Sequence, residues 1–177
     1  MSISLQFNIK EGDTFHYQST FTSRSGSKTN TNSNRSAKRV VQVTDSAVHL
    51  VDPDDPEALV TVLDRQGRPG DFLQGGVSIK DDLPEDVWDI SNQLIFPDRL
   101  VNVGDTWEVD DGHVHLTYKL IGASALRGRE AGEIHAVSSG YAGPIKFWVE
   151  LATGMLLQQE YDVGGGNNAT TTVMERI

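Results

Sequence analysis

The sequence predicts an all-β, mainly antiparallel fold: an open or closed β-barrel or curved sheet, built of two related β-meander halves with one helix around residues 83–94. Three observations predict it. Short alternating apolar and polar runs recur between turn residues, roughly every 8 to 12 positions, which is the spacing of a sandwich or barrel and not of a βαβ sheet. A single stretch has helical spacing. The phrase Gly-Asp-Thr-aromatic occurs twice, at Gly12-Asp13-Thr14-Phe15 and Gly104-Asp105-Thr106-Trp107, about half the chain apart.

The elements follow in order. Ile3, Leu5, Phe7 and Ile9 alternate with polar residues, the pattern of a half-buried strand. Glu11-Gly12-Asp13 makes a turn, and Phe15, Tyr17, Ser19 and Phe21 resume the alternation. The run Ser23 to Ser36 has no large apolar residue and reads as a long mobile hairpin loop. Val41–Val43 and Ala47–Val51 are the next strands, and Asp52 to Glu57, with Pro53 and Pro56, breaks the structure. Ala58 to Leu63 is a further β-rich run. Leu83, Val87, Ile90 and Leu94 then recur at spacings of four, three and four. Pro84 suits a first helical position, and Glu85 and Asp86 complement the helix dipole, so a helix is expected from Leu83 to Leu94. In the second half, strands are expected from His113 to Ile121, around Glu133 to Val137 and from Ile145 to Leu151. A tight turn at Ala152-Thr153-Gly154 leads into Met155–Val163, and Gly164 to Asn168 turns into the last strand, Thr170–Ile177.

A chain of 177 residues fits one domain, residues 1–177, with pseudo-repeat halves of approximately 1–80 and 97–177. There is no cysteine, which excludes disulfides, thiolate metal sites, iron–sulfur clusters and a cysteine nucleophile. The N-terminus has no basic n-region and no apolar h-region, and no window is apolar enough to span a membrane, so a cytoplasmic protein is expected, or an exported one if a leader has been trimmed. Net charge is −10, unevenly spread. Between Ser23 and Arg39 lie Arg24, Lys28, Arg35, Lys38 and Arg39 with no acid, a local +5 that leaves −15 for the rest of the chain. Such an acidic body repels phosphate backbones and disfavours nucleic-acid partners. The basic stretch is either a solvated segment or a docking site for an acidic partner.

The phrase Pro97-Asp98-Arg99-Leu100-Val101-Asn102-Val103-Gly104-Asp105-Thr106-Trp107 resembles the Pro-x-x-x-Val-x-x-Gly-Asp-x-Trp phrase of an uncharacterised family of bacterial β-rich, lipoprotein-like proteins. The hairpin from Trp148 to Leu156 is similar to the Trp-Val-Asp-x-x-Thr-Gly strand pair of open-barrel envelope proteins. The resemblance implies a curved open barrel and carries over no catalytic residue. The sequence shows no signal-peptide pattern and no cysteine to acylate, so an envelope role is not the expectation.

Chemistry-bearing groups are few. His113-Val114-His115 puts two imidazoles at i and i+2, on one face of a strand, where both can bind one metal. Glu130, Glu133 and His135 are candidates for the remaining ligands, and a solvent-facing strand accounts for the same residues. The acidic turns at Asp52–Glu57 and Asp110-Asp111 lack the spacing of a calcium loop. Ser138-Ser139-Gly140 makes no nucleophile elbow, and Gly164-Gly165-Gly166 precedes a strand where a phosphate loop needs a helix, so no cofactor is expected. The leading functional reading is a non-enzymatic domain binding a small apolar ligand in a concave sheet, with Tyr17, Phe21, Trp107, Tyr118 and Trp148 lining it. The alternatives are an interaction module using residues 23–39 or a sheet edge, and a metal-dependent enzyme centred on His113 and His115.

Overall fold

A computed structural model describes residues 2–177 apart from Pro56, Ala58, Gly140, Gly166 and Asn167, and apart from the side chains of Asp86 and Val87. Among the described residues, the strands are β1 (Thr14–Ser25), β2 (Lys28–Val43), β3 (Ala47–Val51), β4 (Val60–Asp64), β5 (Pro69–Gln74), β6 (Val77–Ser78), β7 (Thr106–Asp110), β8 (His115–Leu126), β9 (Arg129–Ser138), β10 (Ile145–Glu150), β11 (Leu156–Gly165) and β12 (Asn168–Arg176). They form one sheet in the order β6-β5-β4-β3-β2-β1-β12-β11-β10-β9-β8-β7. Two antiparallel meanders of six strands each thus join where β1 pairs with β12, and β6 and β7 are left as borders. The sheet is open, which settles the choice between open and closed forms.

The two Gly-Asp-Thr-aromatic phrases fold identically in their hydrogen bonds. Gly12 and Gly104 sit at φ 90° and 95°, a region glycine enters without steric cost. Asp13 accepts from the Lys10 amide at 2.8 Å, and Asp105 accepts from the Asn102 amide at 2.9 Å. Gly12 N–H donates to Val40 and Gly104 N–H to Leu120, both at 2.8 Å. Phe15 and Trp107 then point to the same inner face of the sheet, where the core lies.

That inner face is apolar from one border to the other: Phe72, Val48, Leu50 and Val40 in the first half, and Phe147, Ile134, Leu120, Tyr118 and Trp107 in the second. An open sheet cannot leave such a face in water, and two segments outside the sheet cover it. The first is residues 2–10. The alternation there holds, with Ile3, Leu5, Phe7 and Ile9 all buried, but the segment is not a sheet strand. It makes one isolated bridge, Ile3 with Val101, and Asn8 N–H donates to Thr153 O at 2.9 Å.

The second cover is residues 79–104, where the expected Leu83–Leu94 helix does not form. Only two 3₁₀ turns appear, Lys80–Asp82 and Glu85–Trp88. Ile90 is buried and Leu83 and Leu94 are half-buried, so the apolar residues do face the core. Within this segment, side chains of the sheet take up the backbone carbonyls of Asn92, Gln93 and Ile95.

The polar run Ser23–Ser36 is a second correction. It is not a loop but the outer part of the β1–β2 hairpin, which turns at Gly26-Ser27. Gly26 has φ 58° at the first central position, the requirement of a type II′ turn. Here no core lies beneath the sheet, so apolar alternation is absent. β-branched threonines and cross-strand pairs such as Thr20–Ser33, with hydroxyls 3.2 Å apart, maintain the ladder instead. The Asp52–Glu57 and Gly164–Asn168 turns include Pro56, Gly166 and Asn167, which lie outside the described residues.

Gly154, at φ 72°, lets the first cover approach the β10–β11 turn: a Cβ there would stand 2.2 Å from Gln6 O. Gly112 is also left-handed, at φ 87°, but has nothing within 4 Å. Gly112→Ala is expected to cost roughly 1–2 kcal/mol of backbone strain. Gly154→Ala adds a clash with the cover and is expected to cost at least about 2 kcal/mol more in urea unfolding.

Candidate functional site

The residues that fasten the second cover are the centre of the molecule. Trp107 Nε1–H donates to Ile95 O at 2.8 Å, Tyr118 Oη–H to Gln93 O at 2.7 Å, and Gln159 Nε2–H to Asn92 O at 2.6 Å. Trp107 and Tyr118 are cross-strand partners on β7 and β8, stacked at 5.3 Å with only 10° between their planes. Burial pushes the Tyr118 phenol well above its ordinary pKa, so it remains a donor at any physiological pH. The Phe96 amide, held by Gln66 O at 2.7 Å, ties the segment to the first half.

The covers do not fill the inner face completely. Between the two halves lies a cavity of about 420 Å³. Leu50 and Leu63 form one wall, Phe147, Val149, Met155 and Met174 the other, and Asn92, Gln93 and Leu94 roof it. Thr61 and Gln159 supply polar groups, and Lys38 is the charged side chain on its lining, solvent-exposed at the border. A second, larger hollow of about 590 Å³ is bounded by Glu85, Trp88, Asp89, Asp111, His113 and Ser138, among others.

The five aromatics expected to line a ligand site are placed differently from one another. Tyr17, Phe21, Trp107 and Tyr118 are on the inner face, as their registers with Arg176, Thr172 and each other show. Trp148 is on the outer face, opposite Glu133 and Gln158, because it alternates with the inward Phe147. None of the five borders the 420 Å³ cavity. Trp107 and Tyr118 support its roof instead. The residues that do line it come from six strands and both covers, and no local sequence pattern links them.

His113 and His115 do not share one strand face, since β8 begins only at His115 and His113 lies in the preceding turn. His115 Nδ1 is 3.4 Å from Asp110 Oδ2. His135 Nε2 is bonded to Glu133 Oε1 at 2.7 Å, and His135 pairs with Lys119, four positions beyond His115 and so about 13 Å along the strand. Among the described residues no three His, Asp or Glu side chains converge as a metal site would require. Asp111 instead accepts the Val114 and His113 amides, bonds that hold its carboxyl below the ordinary range.

A charged cluster unmarked in the sequence stands where β10 ends. Glu150, 7% exposed, accepts from Arg129 at 2.5 Å, Thr153 at 2.7 Å and Arg176 at 2.9 Å. The β8–β9 hairpin tip reaches across to this point, with Arg127 paired to Glu175 and bonded to Arg176 O. Burial alone would raise the Glu150 pKa, but the bonds from Thr153, Arg129 and Arg176 outweigh it and hold the carboxyl at about 2.

No family model matches the chain, and no curated protein matches it. Solved structures similar to it include MucB in complex with MucA(peri), at 17% identity and a TM-score of 0.34, covering 92% of this chain and 48% of that one. The hypothetical lipoprotein YmcC from Escherichia coli K12 is similar at 13% identity and a TM-score of 0.34, covering 92% and 84%. A DUF1329 family protein from Desulfovibrio piger is similar at 10% identity and a TM-score of 0.28, covering 94% and 84%. The chain spans about half the length of the MucB chain it matches. Among the described residues no helix is long and apolar enough to cross a membrane.

Because the Glu150 carboxyl is depressed from 4.5 to about 2, its stabilising contribution is full above about pH 4.5 and is lost as pH falls towards 2. Glu150→Gln, which strands the buried Arg176, is expected to lower neutral-pH stability by about 3 kcal/mol. In denaturant titrations its deficit relative to wild type should shrink across that same acid window.

Proposed function

We propose that this chain is a non-enzymatic binding module that takes a small apolar ligand into the cavity between its two halves. The observation that carries this reading is the cavity itself. At about 420 Å³ it falls in the range of small-molecule sites, and its walls are largely apolar with a few polar groups. Gln159 and Thr61 would orient a ligand, and Lys38 at the border would favour one with an anionic end. In this reading the inward aromatics Trp107 and Tyr118 position the roof, and Tyr17 and Phe21 belong to the surrounding inner face. We further read residues 1–177 as one domain of two duplicated meanders, approximately 1–80 and 97–177. The matching bonds of the two Gly-Asp-Thr-aromatic turns support this.

The test uses 1-anilinonaphthalene-8-sulfonate, whose fluorescence rises in apolar surroundings. Saturable binding at one site per chain is expected. Met174→Trp, which fills the cavity from its β12 wall, should weaken that binding at least tenfold without loss of the far-ultraviolet circular dichroism of the sheet. Absence of saturable binding, or equal binding in the filled variant, would rule the cavity out as the site.

A further inference from the structure

We propose that the free edge of β2 from Thr29 to Arg35 is a docking site for an extended, acidic segment of a partner protein, which joins the sheet as an added strand. β2 has β1 on one side from Lys28 to Arg39, but its pairing with β3 starts only at Arg39. The stretch Lys28–Lys38 therefore has an unpaired side. The register shows which groups it offers. Ser25 and Lys28 close the two-residue turn, and Val40 N–H donates to Asp13 O at 2.9 Å, so the even-numbered residues of β2 bond to β1. The N–H and C=O groups of Thr29, Thr31, Ser33, Arg35 and Ala37 point the other way.

Long exposed edges are ordinarily blunted by proline, a bulge, short length, a covering segment or charged side chains, of which only the last is present here. Between Lys28 and Lys38 there is no proline, and the register shift of β2 comes only at Val40–Gln42. The other borders differ. β6 has two residues, and Arg99 Nη2–H already occupies Thr106 O of β7 at 2.9 Å. The β2 edge is thus the longest among the described residues, and it is exposed from Lys28 to Arg35.

Charge selects the occupant. Arg24, Lys28, Arg35, Lys38 and Arg39 all lie on this hairpin, no acid lies on either of its strands, and none of the five is in a salt bridge among the described residues. A second copy paired through β2 would set four cations against four. An acidic strand would neutralise them, so attraction and repulsion both favour a partner of opposite charge. Strand addition of this kind takes its affinity from main-chain hydrogen bonds and its selectivity from side chains.

The experiment titrates the 177-residue protein with a synthetic peptide of alternating threonine and glutamate, about nine residues long, alongside its threonine–lysine counterpart. Saturable binding of the glutamate peptide is expected, weakening with added salt. Amide hydrogen exchange should slow at Thr29, Thr31, Ser33 and Arg35, while the even-numbered amides, already bonded to β1, stay unchanged. Ser33→Pro removes an outward N–H that the fold does not use and should weaken binding at least tenfold. Arg35→Glu, at an exposed side chain, should also weaken it and tests the charge term independently of proline. Equal binding of the lysine peptide, protection at other amides, no binding of either peptide, or concentration-dependent protection of these amides by the protein alone would each overturn the proposal.

Discussion

Three hydrogen bonds from the floor of the sheet to one covering segment hold this structure together. A twelve-strand sheet that does not close has a broad apolar face with no second sheet to meet it. Trp107, Tyr118 and Gln159 solve this by presenting donors to the carbonyls of Ile95, Gln93 and Asn92. Each bond satisfies a carbonyl that would otherwise be costly to bury, and each fixes irregular backbone above an apolar floor. Without that anchorage the Trp107–Tyr118 stack would lose its lid and the cavity its roof.

The same anchorage explains the division of labour among the aromatics. An aromatic side chain with a polar tip suits a place where apolar area and one hydrogen bond are both needed. Trp107 and Tyr118 occupy such places. Phe147, lacking a donor, packs beside Tyr118 at 6.5 Å and borders the cavity. Leu50, Leu63, Val149, Met155 and Met174 supply much of the rest of that lining, and methionine adapts to irregular space.

Much of the architecture was legible because side-chain alternation reports burial directly. Ile3, Leu5, Phe7 and Ile9 alternate because one side meets the core, and they do so whether or not the backbone joins a ladder. That is why the sequence shows an extended segment but cannot separate a sheet strand from a cover. The Leu83–Leu94 spacing likewise reports residues facing the core, and the backbone is fastened at Asn92 and Gln93 by Gln159 and Tyr118, distant in sequence. The Ser23–Ser36 run failed as a strand signal for the opposite reason: both of its faces are wet, so alternation has nothing to report. The cavity was invisible because Leu50, Leu94, Phe147 and Met174 meet only after both meanders are in place. The Gly-Asp-Thr-aromatic phrases were readable because each turn is closed by residues three apart.

The most direct measurement is amide hydrogen exchange over residues 92–101 in wild type and in Tyr118→Phe, which deletes one anchoring donor and little else. The amides of Phe96 and Val101 are expected to be protected nearly as well as those of β8 and β9 in wild type. In the variant they should exchange about fivefold faster, the effect of one lost hydrogen bond of about 1 kcal/mol, with the sheet amides unchanged. Exchange of Phe96 and Val101 at free-chain rates in wild type, or no acceleration in Tyr118→Phe, would contradict the claim that these bonds hold the cover on the sheet.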